Sequence, residues 1–194
     1  MMRALFCTLA LALLVGCASS SAEAPPASAG QVDLQRYQGT WYELARLPMF
    51  FQRNCAQSEA HYLLQDDGSI GVTNRCRTLE GEWIEARGRA VAQQAGRTDK
   101  LWVSFDNWFS ALFPGVAKGD YWVLYLDQDY QHVLVGNPNR EYLWLLSRTP
   151  QVSAETREQL LAEARARLRH RCADLARGGC ADRALAALAR VLQT

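Results

Sequence analysis

The tract Tyr121–Pro150, YWVLYLDQDYQHVLVGNPNREYLWLLSRTP, decides the fold. Three apolar and aromatic runs, Tyr121–Leu126, His132–Gly136 and Tyr142–Ser147, are each five or six residues long. That length suits a strand and is too short for a globular helix. Asp127–Gln131 and Asn137–Glu141 separate them, rich in residues that favour turns. Two links this short make the three strands consecutive antiparallel neighbours.

Working outward, five more strands precede this tract. Thr40–Arg46 opens on Gly39-Thr40-Trp41-Tyr42-Glu43 and is broken by Pro48. Ala56–Gln65 alternates Ala60, Tyr62 and Leu64 on one face, and Asp66-Asp67-Gly68-Ser69 is a hairpin signal. Ile70–Cys76 places Ile70 and Val72 together. Glu82–Gln93 alternates Ile84, Ala86, Gly88 and Ala90 against Glu85, Arg87 and Arg89, and Lys100–Phe105 aligns Leu101, Val103 and Phe105. A helix follows the last strand. Ser153 suits its N-cap, Glu155 and Glu158 sit near its positive start, and Leu160, Leu161, Ala164 and Leu168 repeat at helical spacing. Arg165, Arg167, Arg169 and Arg171 crowd its later turns, and Ala181–Leu192 suits a second short helix. The expected class is all-β: an eight-stranded antiparallel up-and-down barrel over 31–149, with a C-terminal helix on its wall and a Cys-containing tail over 150–194.

The 194 residues are 49% hydrophobic and 21% charged, enough for one folded domain. The net charge of +1 gives no argument for a nucleic-acid partner. Residues 1–16 read as an export signal: Arg3, then an apolar run Ala4–Val15, then Gly16-Cys17. Leu14-Val15-Gly16-Cys17 resembles a bacterial lipobox, which makes Cys17 the lipidation site. Residues 17–30 then form a lipidated Cys and a flexible tether, ASSSAEAPPASAG after Cys17. Ala at position 18, by resemblance to lipoprotein sorting rules, implies the outer membrane. Four further cysteines, Cys55, Cys76, Cys172 and Cys180, form an even set in an exported chain, which suggests two disulfides. Their spacing fits no zinc motif, and neither metal nor cofactor is expected.

The order of Gly39-Thr40-Trp41, Asp127 with Tyr130, and Arg148 resembles the signature of the lipocalin family, in its bacterial outer-membrane branch. The resemblance covers roughly 32–171. It implies that Trp41 sits at the closed end with Arg148 packed over its ring, a structural pair. Arg148 then fixes parity, so Tyr142, Trp144 and Leu146 point inward. By the same reasoning Tyr121, Val123 and Tyr125 are expected inward, with Leu134 and Gly136, and Tyr62, Ile84, Ala86, Val103 and Phe105 complete the wall. Ala86, Gly88 and Gly136 are expected to leave room for a ligand whose polar end meets Tyr hydroxyls; a packed, empty-handed barrel is the alternative. Met49, Phe50 and Phe51, and Trp108, Phe109, Leu112 and Phe113, fall in mouth loops and are expected to form a lid or a membrane-touching rim. Cys55 and Cys76 both fall near the mouth, favouring Cys55–Cys76 and Cys172–Cys180; Cys55–Cys172 remains open.

The implied function is an outer-membrane, lipid-anchored protein whose barrel stands in the periplasm and binds, stores or transports fatty acids or lysophospholipids, as monomer or homodimer. Its partners are that ligand and the membrane. A lipid-modifying enzyme and a ligand-free structural lipoprotein are the alternatives. The chain lacks Gly-x-Ser-x-Gly, His-Glu-x-x-His and a phosphate-binding Gly-rich loop, so no catalytic residue is expected. His61, near Glu59, falls on the outward parity.

Overall fold

A computed structural model describes residues 24–106 and 118–168. Eight strands close into one antiparallel barrel in sequence order: β1 Gly39–Arg46, β2 Cys55–Leu64, β3 Ile70–Thr78, β4 Trp83–Ala92, β5 Lys100–Phe105, β6 Lys118–Leu126, β7 His132–Gly136 and β8 Leu143–Ser147. β8 returns to pair with β1 through Tyr42↔Ser147 and Glu43↔Leu146, which leaves no free sheet edge. The sequence places β6 within two or three residues of its true extent. It starts earlier because Lys118–Asp120 continue the ladder to Ser104–Trp102.

Helix α1, Leu34–Tyr37, precedes β1; the Asp33 carboxylate accepts from the amides of Gln35 and Arg36. Helix α2 spans Ala154–Leu168. Its cap is Ser153, whose Oγ accepts from the Thr156 amide at 3.1 Å. The stripe Leu160, Leu161, Ala164 and Leu168 is buried against the outer wall, on Leu44, Leu134, Leu143 and Leu145. Each such leucine contributes about 1.5–3 kcal/mol. This outer cluster is separate from an inner one around Trp41, Val123, Val133 and Val135. The last strands therefore bury both faces, which is why their sequence shows no polar alternation.

A bulge in β6 governs which residues face where. Pairing with β7 steps from Val123↔Val135 to Tyr125↔Leu134, leaving Leu124 as an extra residue. Parity reverses across it: Val123 and Leu126 join the inner cluster, and Leu124 and Tyr125 lie outside beneath α2. Tyr125, expected inward, instead packs outside with the Arg167 guanidinium 5.4 Å from its ring centre. Leu134, also expected inward, is the outward neighbour between Val133 and Val135 and is buried under α2. Gly136 likewise faces out, where an added Cβ would stand 2.8 Å from a Leu124 methyl.

The N-terminal approach also differs from expectation. Ala29 donates its amide to the Val123 carbonyl at 2.8 Å, Gly30 to the Asp99 carboxylate at 3.1 Å and Val32 to Thr98 Oγ1 at 2.8 Å. Residues 24–30, expected as flexible tether, are thus strapped along the barrel. Val123 lies beyond the last β5–β6 pair, so its carbonyl is open to the strap. Asp99 is the strap's buried anchor. Burial opposes its ionisation, but hydrogen bonds from Arg97 and Ser28 and the Arg97 charge prevail, holding its carboxyl at about 2. Arg97 grips it through both Nε and Nη2 at 2.9 Å.

The expected export signal, Cys17, residues 107–117 with Trp108, Phe109, Leu112 and Phe113, Arg169, Arg171, the expected short helix at 181–192 and the expected Cys172–Cys180 bridge lie outside the described residues.

Candidate functional site

The closed end is built first. Trp41 is fully buried and donates its indole N–H to the Tyr37 carbonyl at 2.8 Å. The Arg148 guanidinium lies 3.9 Å from the Trp41 ring centre. It also donates to the carbonyls of Thr40, Tyr37, Arg36 and Tyr130 at 2.8–3.2 Å. One cation thus satisfies the carbonyls of three converging segments and covers an aromatic face. Burial lowers its pKa from the usual guanidinium value, against the opposing pull of Tyr37. Asp127 accepts from the Gln131 amide at 2.7 Å and meets His132 Nδ1 at 2.7 Å. Tyr130 takes a left-handed backbone (φ 59°), and its hydroxyl accepts from the Asp33 amide at 2.9 Å. The three segments quoted for the resemblance therefore meet in one lattice.

Above this floor lies a cavity of about 230 Å³. Tyr62, Ile84, Ala86, Val103, Phe105, Tyr121, Tyr142 and Trp144 all line it. Val123 points inward, in the buried cluster with Trp41 and Val135, but does not line the cavity. Tyr125 and Leu134 are outside the barrel wall, as described. Of the small residues expected to leave room, Ala86 lines the cavity, whereas the space beside Gly88 is taken by Phe105 and the Ser104 carbonyl.

The wall also includes residues beyond those expected to meet a ligand. Ala60, Ile70, Val72, Ala90 and Leu101 follow from the alternation already read on β2–β5. Tyr37 does not: it sits on α1, outside any strand, and reaches in over the floor. Its hydroxyl is 2.6 Å from that of Tyr121, which in turn donates to the Tyr62 hydroxyl at 3.1 Å. Desolvation by burial raises all three phenols, Tyr62 to about 12. These hydroxyls, expected to greet a ligand's polar end, bond one another at the base of the cup.

Polar groups gather instead toward the mouth. Glu43 faces the lumen and pairs with Arg46. Gln52 donates to Glu43 at 3.0 Å and accepts from the Trp144 indole at 2.8 Å. Ser58 and Asn137 line the lumen toward the mouth, and Asn74 lines it opposite Ala86. A charged Glu on a strand reads as outward from sequence, and its partners, Arg46 at the end of β1 and Gln52 of the β1–β2 loop, make the inward position tolerable. In that loop Met49 is buried and Phe51 turns onto Tyr142, ring centres 5.4 Å apart, while Phe50 is exposed. Cys55 and Cys76 form a disulfide beside the mouth, Cα atoms 5.5 Å apart. His61 lies on the outer wall, its Nδ1 3.1 Å from Thr40 Oγ1.

A closed eight-stranded cup with a Trp–Arg floor, an apolar wall and an attached C-terminal helix defines the class: the chain belongs to the lipocalin family, residues 32–175 matching the lipocalin-like domain. It is 38% identical over 153 residues to the Escherichia coli (strain K12) outer membrane lipoprotein Blc, covering 78% of this chain and 82% of that protein. It is 41% identical to the outer membrane lipoprotein Blc of Vibrio cholerae serotype O1, covering 78% and 84%. Among solved structures, insecticyanin from the tobacco hornworm Manduca sexta shares the fold, with a TM-score of 0.55, 16% identity and coverage of 74% of this chain and 77% of that one.

Proposed function

We propose that this protein is a lipid-anchored lipocalin of the outer membrane, with its barrel in the periplasm, that takes up the hydrocarbon tail of a fatty acid or lysophospholipid. The observation that carries the reading is the polarity gradient of the cup. Val72, Ala86, Ala90, Leu101 and Val103 form an apolar wall interrupted at mid-height by Asn74, the base hydroxyls bond one another, and Glu43, Ser58 and Asn137 stand toward the mouth. An amphiphile entering tail first buries methylenes at about 0.8 kcal/mol each and leaves its head among polar side chains. Reversible partitioning needs no covalent step. The names of the Blc relatives, outer membrane lipoproteins, support the location, and Leu14-Val15-Gly16-Cys17 supports the anchor at Cys17.

Filling the cup tests this. Ala86→Trp projects an indole into the lumen from the middle of β4. Titration with a fluorescent fatty-acid probe is expected to give saturable binding to the wild type. The variant should bind at least about tenfold more weakly, a loss of about 1.4 kcal/mol. Equal binding by a folded Ala86→Trp protein places the probe elsewhere and refutes the reading.

A further inference from the structure

The strap fixes where the chain leaves the barrel. From Val32 at the closed end, beside Thr98, the backbone passes Asp99 and Val123 and reaches Ala24. There the Ala24 carbonyl accepts from Arg140 Nη2 at 2.8 Å. Arg140 belongs to the β7–β8 loop, whose Asn137 and Tyr142 line the mouth, and its Nε donates to the Arg167 carbonyl near the end of α2 at 3.1 Å. Pro26, midway along the strap, is buried. The chain therefore comes back up the wall and departs at the open end of the cup.

Seven residue steps separate Ala24 from Cys17. Whatever their path, they span at most about 25 Å. The eight steps of strap from Ala24 to Val32 cover the height of the barrel, about 26 Å when extended. An anchor at Cys17 could reach a bilayer below the closed end only by spending its whole length running back along the wall. A bilayer at the mouth costs no such extension.

The loops and turns at the two ends differ in surface. Phe50 of the β1–β2 loop is 58% exposed, Leu79 of the β3–β4 turn 68%, and Trp83 and Ile84 at the start of β4 are 42% and 45%. All four stand at the mouth end. The closed-end turns are Asp66-Asp67-Gly68-Ser69, Gln94–Thr98 and Asp127–Gln131, polar throughout except for Ala95 and Tyr130. Of the exposed large apolar residues among those described, Leu63, Val91 and Trp102 stand toward this end; Val91 and Trp102 pair on the wall between β4 and β5, with the Lys118 ammonium over the Trp102 ring, rather than in the turns.

We propose that the open end of the cup is held against the bilayer, with Phe50, Leu79 and Trp83 seated on the lipid surface, so that a tail exchanges between membrane and lumen without crossing water. This rests on the reading that Cys17 carries the lipid anchor. Aromatic and aliphatic side chains at a rim partition into the interfacial region, and the mouth's polar groups then lie at head-group level.

The test uses the full-length protein, matured in its own membrane and reconstituted in phosphatidylethanolamine–phosphatidylglycerol vesicles. A photoreactive benzoylphenylalanine replaces Phe50 or Leu79 at the rim, and Leu63 or Asp66 at the closed end; all four sites are exposed, and circular dichroism confirms folding. Intact mass reports acylation of each sample. The expected result is acylated protein that cross-links lipid several-fold more from Phe50 and Leu79 than from Leu63 and Asp66. A Gly-Ser insertion of about twenty residues after Ala18 should erode that preference. Acylated protein that cross-links equally from both ends, or more from the closed end, overturns the orientation while leaving the anchor in place. Mature protein without acyl chains overturns both.

Discussion

Arg148 shows how one side chain holds a barrel shut. Its guanidinium covers Trp41 and donates to carbonyls of α1, β1 and the β6–β7 turn, so truncation strands partly buried acceptors as well as an aromatic face. Arg148→Ala is expected to lower stability by about 2–4 kcal/mol in urea unfolding, and Arg148→Lys to recover only part, since a point cation cannot reach the same acceptors. Asp99 gives a second residue-scale test. Its folded pKa, about 2, is depressed below the unfolded value near 4. Its contribution is therefore complete above about pH 4 and is lost as pH falls toward 2. Asp99→Asn should flatten the acid limb of the stability profile over that window and leave the neutral-pH slope unchanged. An acid limb identical to wild type would show that Asp99 does not hold the strap through its charge.

At the scale of elements, what was legible depended on whether a strand has one wet face. β2–β5 do, and period-two alternation groups Tyr62, Ile84, Ala86, Val103 and Phe105, which line the cavity. β6 and β7 are buried on both sides, by the floor and by α2, so His132–Gly136 offers no contrast from which to choose Leu134 or its neighbours. The bulge at Leu124 has no sequence mark at all, and it alone moves Tyr125 from lumen to outer wall. α2 was legible because its stripe and its Ser153 cap agree. The β2–β3 hairpin is closed at its open end by Cys55–Cys76, 21 residues apart. On the chain-entropy account that bridge contributes about 3 kcal/mol. Reduction, or Cys55→Ala with Cys76→Ala, should lower the melting temperature by several degrees while leaving the barrel's circular dichroism at 20 °C close to wild type.

For the whole molecule, the class and the floor of the cup were readable because Trp41, Asp127, Tyr130 and Arg148 are far apart in sequence yet chemically specific. The strap was not, because ASSSAEAPPASAG carries only the composition of a linker; its order comes from acceptors on distant segments, Val123, Thr98 and Asp99. Tyr37 and Glu43 were missed for a related reason, since each is placed by partners that only the closed barrel supplies. These features combine into one device: a sealed floor, an apolar wall, polar side chains inside the mouth and a chain that leaves beside the opening. Native mass spectrometry of the protein purified from its own membrane tests the central claim most directly, with Ala86→Trp purified in parallel. The account predicts wild-type protein carrying a bound mass equal to a fatty acid or lysophospholipid, and a variant from which that mass is absent or sharply reduced. Wild-type protein that is bare after gentle extraction and takes up no added lipid, or a folded variant that carries the same mass in the same amount, would contradict it.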